Sequence, residues 1–346
     1  MNTCRRALCL AALATFSWTH PAWTQLEWRI SVKRFTGPGG TPGITAASVS
    51  NWFPAANAIL DKTRRGYRLV LTEIVTLPGT TQPGPSSTNT WFNANFADDP
   101  VQNDLNAKAL ANRSTFAFRD NAINIYVSGN TGGGADCAFP VDDHAIIANG
   151  GVIGQTVLHE LGHYFGLLHT FEDDNCGNCD CSKLATFGAG NDDPQIRDTI
   201  GDNICIGTSR NQIAMLNYNQ PYANLNAAQQ LLVDNTWFNM MSYRGVGDRF
   251  TSDQMDYMTD NANEGRRAVV SGRTWFVDRT AGCVLPNGHS HCDGLAGPFP
   301  SVSGGVTAAE AGDIVMIRPG NYPGPMTITK RLYLRATRGD AVLGKP

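Results

Sequence analysis

With 346 residues the chain has room for two domains of ordinary size, each large enough to bury its own core. The formal net charge is -3 and the charged residues are spread without long runs, so nothing electrostatic argues for a nucleic acid or an anionic membrane as partner.

The first residues, MNTCRRALCLAALATFSWTHPAWTQ, place Arg5 and Arg6 ahead of an apolar stretch from Ala7 to Phe16, with Pro21 and Ala22 beyond it. That order reads as an export signal over residues 1–24, and the apolar stretch is too short to span a bilayer. The expected product is secreted or periplasmic, soluble, and without a membrane anchor. Cys4 and Cys9 fall inside the signal, which leaves seven of the nine cysteines: Cys137, Cys176, Cys179, Cys181, Cys205, Cys283 and Cys292. In an oxidising compartment most should pair, and an odd number leaves at least one free or joined to another chain.

From Leu26 to Phe35 the residues alternate as in a strand. TAASVSNWFPAANAILDKTRRG then carries apolar residues at mixed helical spacing and ends in Gly66, and YRLVLTEIVTL returns to a strand. LPGTTQPGPSSTNT reads as a surface loop, DDPVQNDLNAKALAN as a helix with Asp99 and Pro100 at its start, and NAINIYVSGN as another strand. This alternation makes the first half an α/β layer. VLHELGHYFGLLHTFE, from Val157 to Glu172, follows a loop of glycines and Asp/Asn residues. Beyond it, Asp173 to Gln220 is Asp/Asn-rich, bears cysteines and shows no clear period. NAAQQLLVDNTW reads as a short helix and TSDQMDYM as a capped one, so a first unit over residues 25–267 closes near Arg267. The remainder, 268–346, reads as a small all-β module, with GDIVMIRPGNYPGPMTITKRLYLRAT alternating β-formers and Gly/Pro turns, and one strand-turn-strand unit beginning to repeat.

On a helix His159 and His163, four residues apart, project from one face and can offer imidazole nitrogens to a single ion. Glu160 can point at a water beside that ion. Gly166 suits a left-handed helix end, after which the reversed chain can return His169 to the same point. Three neutral imidazoles leave a fourth position open, which is the pattern of a catalytic zinc, not a structural one. Zinc lowers the pKa of its water from about 15.7 towards about 7, and a carboxylate within reach takes the proton. Hydrolysis of peptide bonds fits that chemistry. With 36 Gly and 7 His in the chain, Gly166 and His169 fall at their two fixed positions by chance about one time in five hundred, which disfavours an ordinary polar helix.

HELGHYFGLLH followed by NMMSY resembles a metzincin zinc peptidase, whose zinc helix is followed by a methionine-containing turn beneath the metal. GLLHTF, the cysteine soon after it, RDT and NMMSY…FTSDQMDYM resemble the pappalysin branch, and the similarity covers most of Leu26 to Met258. The resemblance implies an α+β (α/β-layered) zincin catalytic domain with a mixed sheet, a zinc helix and a Met-turn, acting on protein or peptide substrates. By it, His159, His163 and His169 are zinc ligands, Glu160 the general base, Met241 the turn methionine, and Tyr243 the tyrosine that swings towards the oxyanion. It also implies a Cys176–Cys205 disulfide across the Asp-rich loop. Asp192, Asp193 and Asp198 lie inside that loop and could either ligate calcium or stand as solvated acids; Ile200 replaces the proline the family usually has after the Asp-Thr pair.

Cys283 and Cys292 close CVLPNGHSHC, read as a disulfide loop in preference to a second zinc site, and Cys137 is available to pair with Cys179 or Cys181. His144 reads as an ordinary loop histidine. Asp248 could line the pocket for the residue after the scissile bond and favour a basic side chain, or be a plain loop carboxylate. From about Trp275 the tail resembles the opening coil of a right-handed parallel β-helix, incomplete because such solenoids need several stacked coils; it could serve in docking. Two other functions stay open. One is an inactive metzincin-like binding module, which the intact His159, Glu160, His163 and His169 argue against. The other is a carbohydrate-binding or adhesive protein acting through the tail, which the missing coils disfavour.

Overall fold

The structure is a computed structural model that describes residues 26–81, 84–86, 90–96, 99–132, 135–137, 145–151, 153–171, 196–202, 209–242, 247–263, 266–279, 298–336 and 340–344. Strand β1 (Leu26–Thr36) lies between β2 (Tyr67–Pro78) and β3 (Ile123–Val127) and runs parallel to both. A parallel neighbour needs a crossover, and α1 (Ala46–Ser50) and α2 (Trp52–Thr63) supply the one from β1 to β2. The helix stops at Thr63, short of the expected Gly66, because Arg64 and Gly66 both take positive φ. The edge strand β4 (Ala135–Cys137) pairs antiparallel with β5 (Ala145–Ala148), which is parallel to β3, so the sheet is mixed with order β2-β1-β3-β5-β4.

Both faces of this sheet are covered. Trp28, Ile30 and Val32 of β1 pack into one core with Ala56 and Leu60 of α2 and with Val157, Leu158 and Leu161 of α4 (Gly154–Tyr164). On the other face Phe35 and Tyr126 meet Leu105 and Ala109 of α3 (Asp99–Ala111), together with Trp91, Phe96 and Phe116. Three further helices follow: α5 (Arg210–Tyr218), α6 (Ala227–Trp237) and α7 (Ser252–Asn263). Helix α5 falls in the stretch that shows no period in the sequence. Ser209 caps it by accepting from the Gln212 backbone N–H, and Ile213 and Ala214 are buried. Met215 and Leu216, however, stay 41% and 43% exposed, so the apolar residues do not form one stripe.

The last segment carries β6 (Thr274–Val277), α8 (Val302–Ala308), β7 (Ile314–Ile317), β8 (Gly320–Tyr322), β9 (Tyr333–Ala336) and β10 (Ala341–Leu343). The expectation of an all-β module is corrected by α8. Ser301 accepts from the Gly304 backbone N–H at its start, and Val302 and Val306, one helical turn apart, pack with Val277 and Val315 of β6 and β7. The strands pair in parallel as β6-β7-β9 and β8-β10. Ile314 stands beside Tyr333 and Gly320 beside Ala341, offsets of 19 (314 to 333) and 21 (320 to 341) residues, so β9 and β10 repeat the β7-β8 unit one layer on.

This segment is not separate from the first core. Phe276, Ile314 and Met316 belong to the same cluster as Leu26, Trp28 and Tyr67. Val270 bridges to Trp28, the Ser271 backbone N–H donates to Glu27 O (3.0 Å), and Ser271 Oγ accepts from the Glu27 N–H (2.8 Å). Tyr67 and Thr274 share a buried hydroxyl hydrogen bond of 2.9 Å. Among the described residues no helix is long and apolar enough to cross a membrane.

Candidate metal centre

The centre is built from one helix end and the chain that returns over it. In α4, Leu158 and Leu161 face the core, which leaves His159 and His163 together on the half-exposed side. Gly166 ends the helix at φ +94°. The Gly166 N–H donates to His163 O (2.8 Å) and the Leu167 N–H to Gly162 O (2.9 Å). A Cβ at Gly166 would also lie 2.7 Å from Asn261 Nδ2, so glycine answers both a backbone and a contact demand. The reversal carries His169 back to the first two histidines.

The Nε2 atoms of His159, His163 and His169 form a near-equilateral triangle, 3.2 Å from His159 to His169, 3.2 Å from His159 to His163, and 3.1 Å from His163 to His169. His159 Nδ1 donates to Met240 O and His163 Nδ1 to Leu167 O, each at 2.7 Å. A carbonyl has no proton to give, so this assignment places the protons on both Nδ1 atoms and leaves Nε2 with a lone pair. Two lone pairs 3.2 Å apart cannot hydrogen-bond each other; they need a shared cation. A tetrahedral zinc ion about 2.0–2.1 Å from each nitrogen would separate the nitrogens by roughly 3.3–3.4 Å, and the observed triangle is just inside that. Burial, and then the neighbouring His169 and His159, hold the His163 pKa well below the ordinary 6.5, so its imidazole is neutral and ready to ligate near pH 7. The donors therefore fit zinc.

Met241 is fully buried against the helix that carries His159 and His163. A Cβ at Gly162 would overlap Met241 Sδ and stand 3.1 Å from its Cε, so the glycine of HELGH makes room for the methionine. Ordinarily Gly to Ala inside a helix stabilises by about 0.8–1.0 kcal/mol. Here the overlap should reverse the sign: Gly162→Ala is expected to destabilise the protein, since overpacking costs about 1–3 kcal/mol, and to stabilise it once Met241→Ala has opened the space. Urea unfolding of the four proteins in that cycle checks the reversal.

The turn bearing Met241 is fixed by a residue that sequence reasoning passed over. Asn239 Oδ1 accepts from the Met241 N–H (2.9 Å), and its side chain exchanges two 3.0 Å hydrogen bonds with that of Gln254 in α7, both groups buried. An Asn two places before a turn residue is a known Asx-turn signal, available in NMMSY; the partner across fifteen residues was not.

Glu160 follows His159 in α4 and is only 4% exposed. Asp198 O accepts from Asn235 Nδ2, and its Oδ2 accepts from the Asp253 N–H (3.1 Å), holding the first turn of α7. Asp248 is tied to Arg249 Nε (2.7 Å) and Lys62 Nζ (3.5 Å). Burial alone would raise its carboxyl, but Arg249 and then Lys62 carry it below the usual range, so the chain's own cations already answer its charge. Tyr243, His144, Asp192, Asp193, Cys176, Cys179, Cys181, Cys205, Cys283 and Cys292 lie outside the described residues, as does the Cys137 side chain.

No model of a known protein family matches the chain, and no curated protein matches it. Solved structures do. Mature mirolysin of Tannerella forsythia in complex with a cleaved peptide is 15% identical, with a TM-score of 0.41 over 72% of this chain and 96% of that one. A mutant of Tannerella forsythia promirolysin gives 15% and 0.42 over 72% and 85%, and mirolysin in complex with a compound gives 16% and 0.43 over 72% and 96%. The chemistry of the centre rests on its three imidazoles.

Proposed function

We propose that the protein is a zinc-dependent endopeptidase of metzincin type, closest in its motifs to the pappalysin branch, exported from the cytoplasm and acting on proteins or peptides. The observation that carries this reading is the triangle of three Nε2 atoms, two of them on imidazoles whose Nδ1–H groups donate to backbone carbonyls, on a HExxHxxGxxH pattern. When bound, zinc supplies Lewis acidity, lowering the pKa of a coordinated water towards about 7 and polarising the substrate carbonyl.

The chain's own residues do the rest. His159, His163 and His169 would hold the ion through their three Nε2 atoms, and three imidazoles leave a tetrahedral ion one further position for water or substrate. Glu160, adjacent in the same helix, takes a proton from the attacking water on a carboxylate oxygen and hands it to the leaving amine. Met241 gives the imidazoles an apolar floor without ligating. Tyr243 is assigned the hydroxyl that steadies the developing negative oxygen, on the family pattern alone; Asp192, Asp193 and Asp198 could either ligate calcium or stand as solvated acids, and Asp198 Oδ2 already accepts from the Asp253 N–H.

Purified protein should contain about one zinc per chain and should lose cleavage of an unstructured protein substrate on chelation, recovering it when zinc is restored. Elemental analysis showing no zinc, with cleavage untouched by the chelator, would overturn the reading.

A further inference from the structure

His159 and His163 are held by a helix, but His169 is not. It sits in irregular chain beyond Gly166, and a ligand there needs some other support to stay within a few tenths of an ångström of its place. On its N-terminal side the support is the helix end: the Leu167 N–H is bonded to Gly162 O, and Leu167 O accepts from His163 Nδ1. On its C-terminal side stands Thr170, fully buried, with three bonds. Its N–H donates to Met241 O (3.1 Å), its carbonyl accepts from the Asp202 N–H (3.2 Å), and its Oγ1 donates to Asp202 Oδ2 (3.4 Å). Phe171 then lays its ring flat on the His169 imidazole, 4.7 Å between centroids and 9° between planes.

Asp202 is the unexpected member. It belongs to the segment 196–202 on the far side of the Asp-rich loop, and it too is fully buried. Its backbone N–H and its carboxyl group both meet Thr170, the residue next to a ligand. The hydroxyl bond is long and weak alone; paired with the backbone bond it fixes Asp202 to Thr170 at two points. The same Thr170 is bonded to the Met241 carbonyl, and the carbonyl before that, Met240 O, orients His159. One turn therefore touches two of the three ligand segments through its backbone.

We propose that Thr170 and Asp202 form a clasp that positions His169 as the third metal ligand, so that the segment 196–202 sets the geometry of the centre. The proposal rests on the zinc reading above and adds residues to it that touch neither ion nor substrate. Outer-shell partners of metal ligands are worth about 10–100-fold in metal affinity.

The test uses the full chain with Thr170→Val, which keeps shape and both backbone bonds but removes the hydroxyl, Thr170→Ser, which restores it, and Asp202→Asn. Zinc affinity is read by competition with a chromophoric chelator, and ligand geometry by the visible absorption of the cobalt(II)-substituted protein. Thr170→Val and Asp202→Asn should weaken zinc binding about 10–100-fold and alter the cobalt band, and Thr170→Ser should recover both. Wild-type affinity and an unaltered cobalt spectrum in Thr170→Val would overturn the clasp, as would a loss that Thr170→Ser fails to restore. Should Asp202→Asn not fold, the threonine pair decides alone. If the wild-type chain itself binds neither zinc nor cobalt, the zinc reading falls first and is recognised as such before any variant is compared.

Discussion

Glu160→Gln is expected to lower kcat for peptide cleavage by about 10²–10⁴-fold, the usual contribution of a positioned general base, while the protein keeps its zinc. Glutamine preserves the length and planarity of the side chain and an oxygen that can accept a hydrogen bond, but it cannot take a proton near pH 7. None of the three ligand nitrogens is touched, so metal content should not change. The side chain also keeps its size in a buried place, so the fold should be retained, which urea unfolding reads. The three readouts separate the alternatives. Lost turnover with lost zinc would make Glu160 a structural support of the centre; turnover within tenfold of the wild type with zinc retained would remove it from the mechanism altogether.

What made this site legible is that its information is local. His159, His163, Gly166 and His169 lie within eleven residues, and helix geometry plus one left-handed residue carries them to a common point without help from the rest of the chain. The strands β1 and β2 and the helices α6 and α7 were legible for a similar reason, each having a period or a cap within its own span. What was missed depends on partners far along the chain. Asp202 reads as one more loop acid until Thr170 is seen beside it, thirty-two residues away. Lys33, in the alternating RISVKRF, belongs on an outward face by pattern. It is fully buried, because α3 and its aromatic neighbours cover that face, and it donates to Asn124 Oδ1 and to Ser31 O. Alternation reports that a strand has two faces; it does not report that both are covered. Helix α8 was lost in a Ser/Gly/Val run with low helix propensity, where the packing of Val302 and Val306 on the strands prevails over propensity.

Ending the chain after Ser271 is expected to cost most of the protein's stability, although every candidate catalytic residue precedes that point. Phe276, Ile314 and Met316 are buried in the same cluster as Leu26, Trp28 and Tyr67. Burying such side chains is worth about 1.5–3 kcal/mol each, so their removal forfeits roughly 5–9 kcal/mol, against a typical total of about 5–15. That sum is an upper figure, since unfolded chains already bury part of this surface. It omits the buried Tyr67–Thr274 hydrogen bond and the apolar surface of Trp28 and Tyr67 newly exposed to water. Trp28 also packs on Phe165, at the C-terminal end of α4, so loosening it reaches the helix that holds the histidines. The truncated chain should therefore unfold at much lower urea than the full one and lose zinc and cleavage with its fold. A single change separates the shared core from the outer coil. Phe276→Ala should cost about 3–5 kcal/mol, as large-to-small changes in a core do, whereas Leu343→Ala, half-buried in the last strand, should cost far less. A soluble chain ending at Ser271 that unfolds cooperatively within about 1 kcal/mol of the full protein would show that the first core closes without the tail, and the burial of Phe276, Ile314 and Met316 would then be packing that adds little.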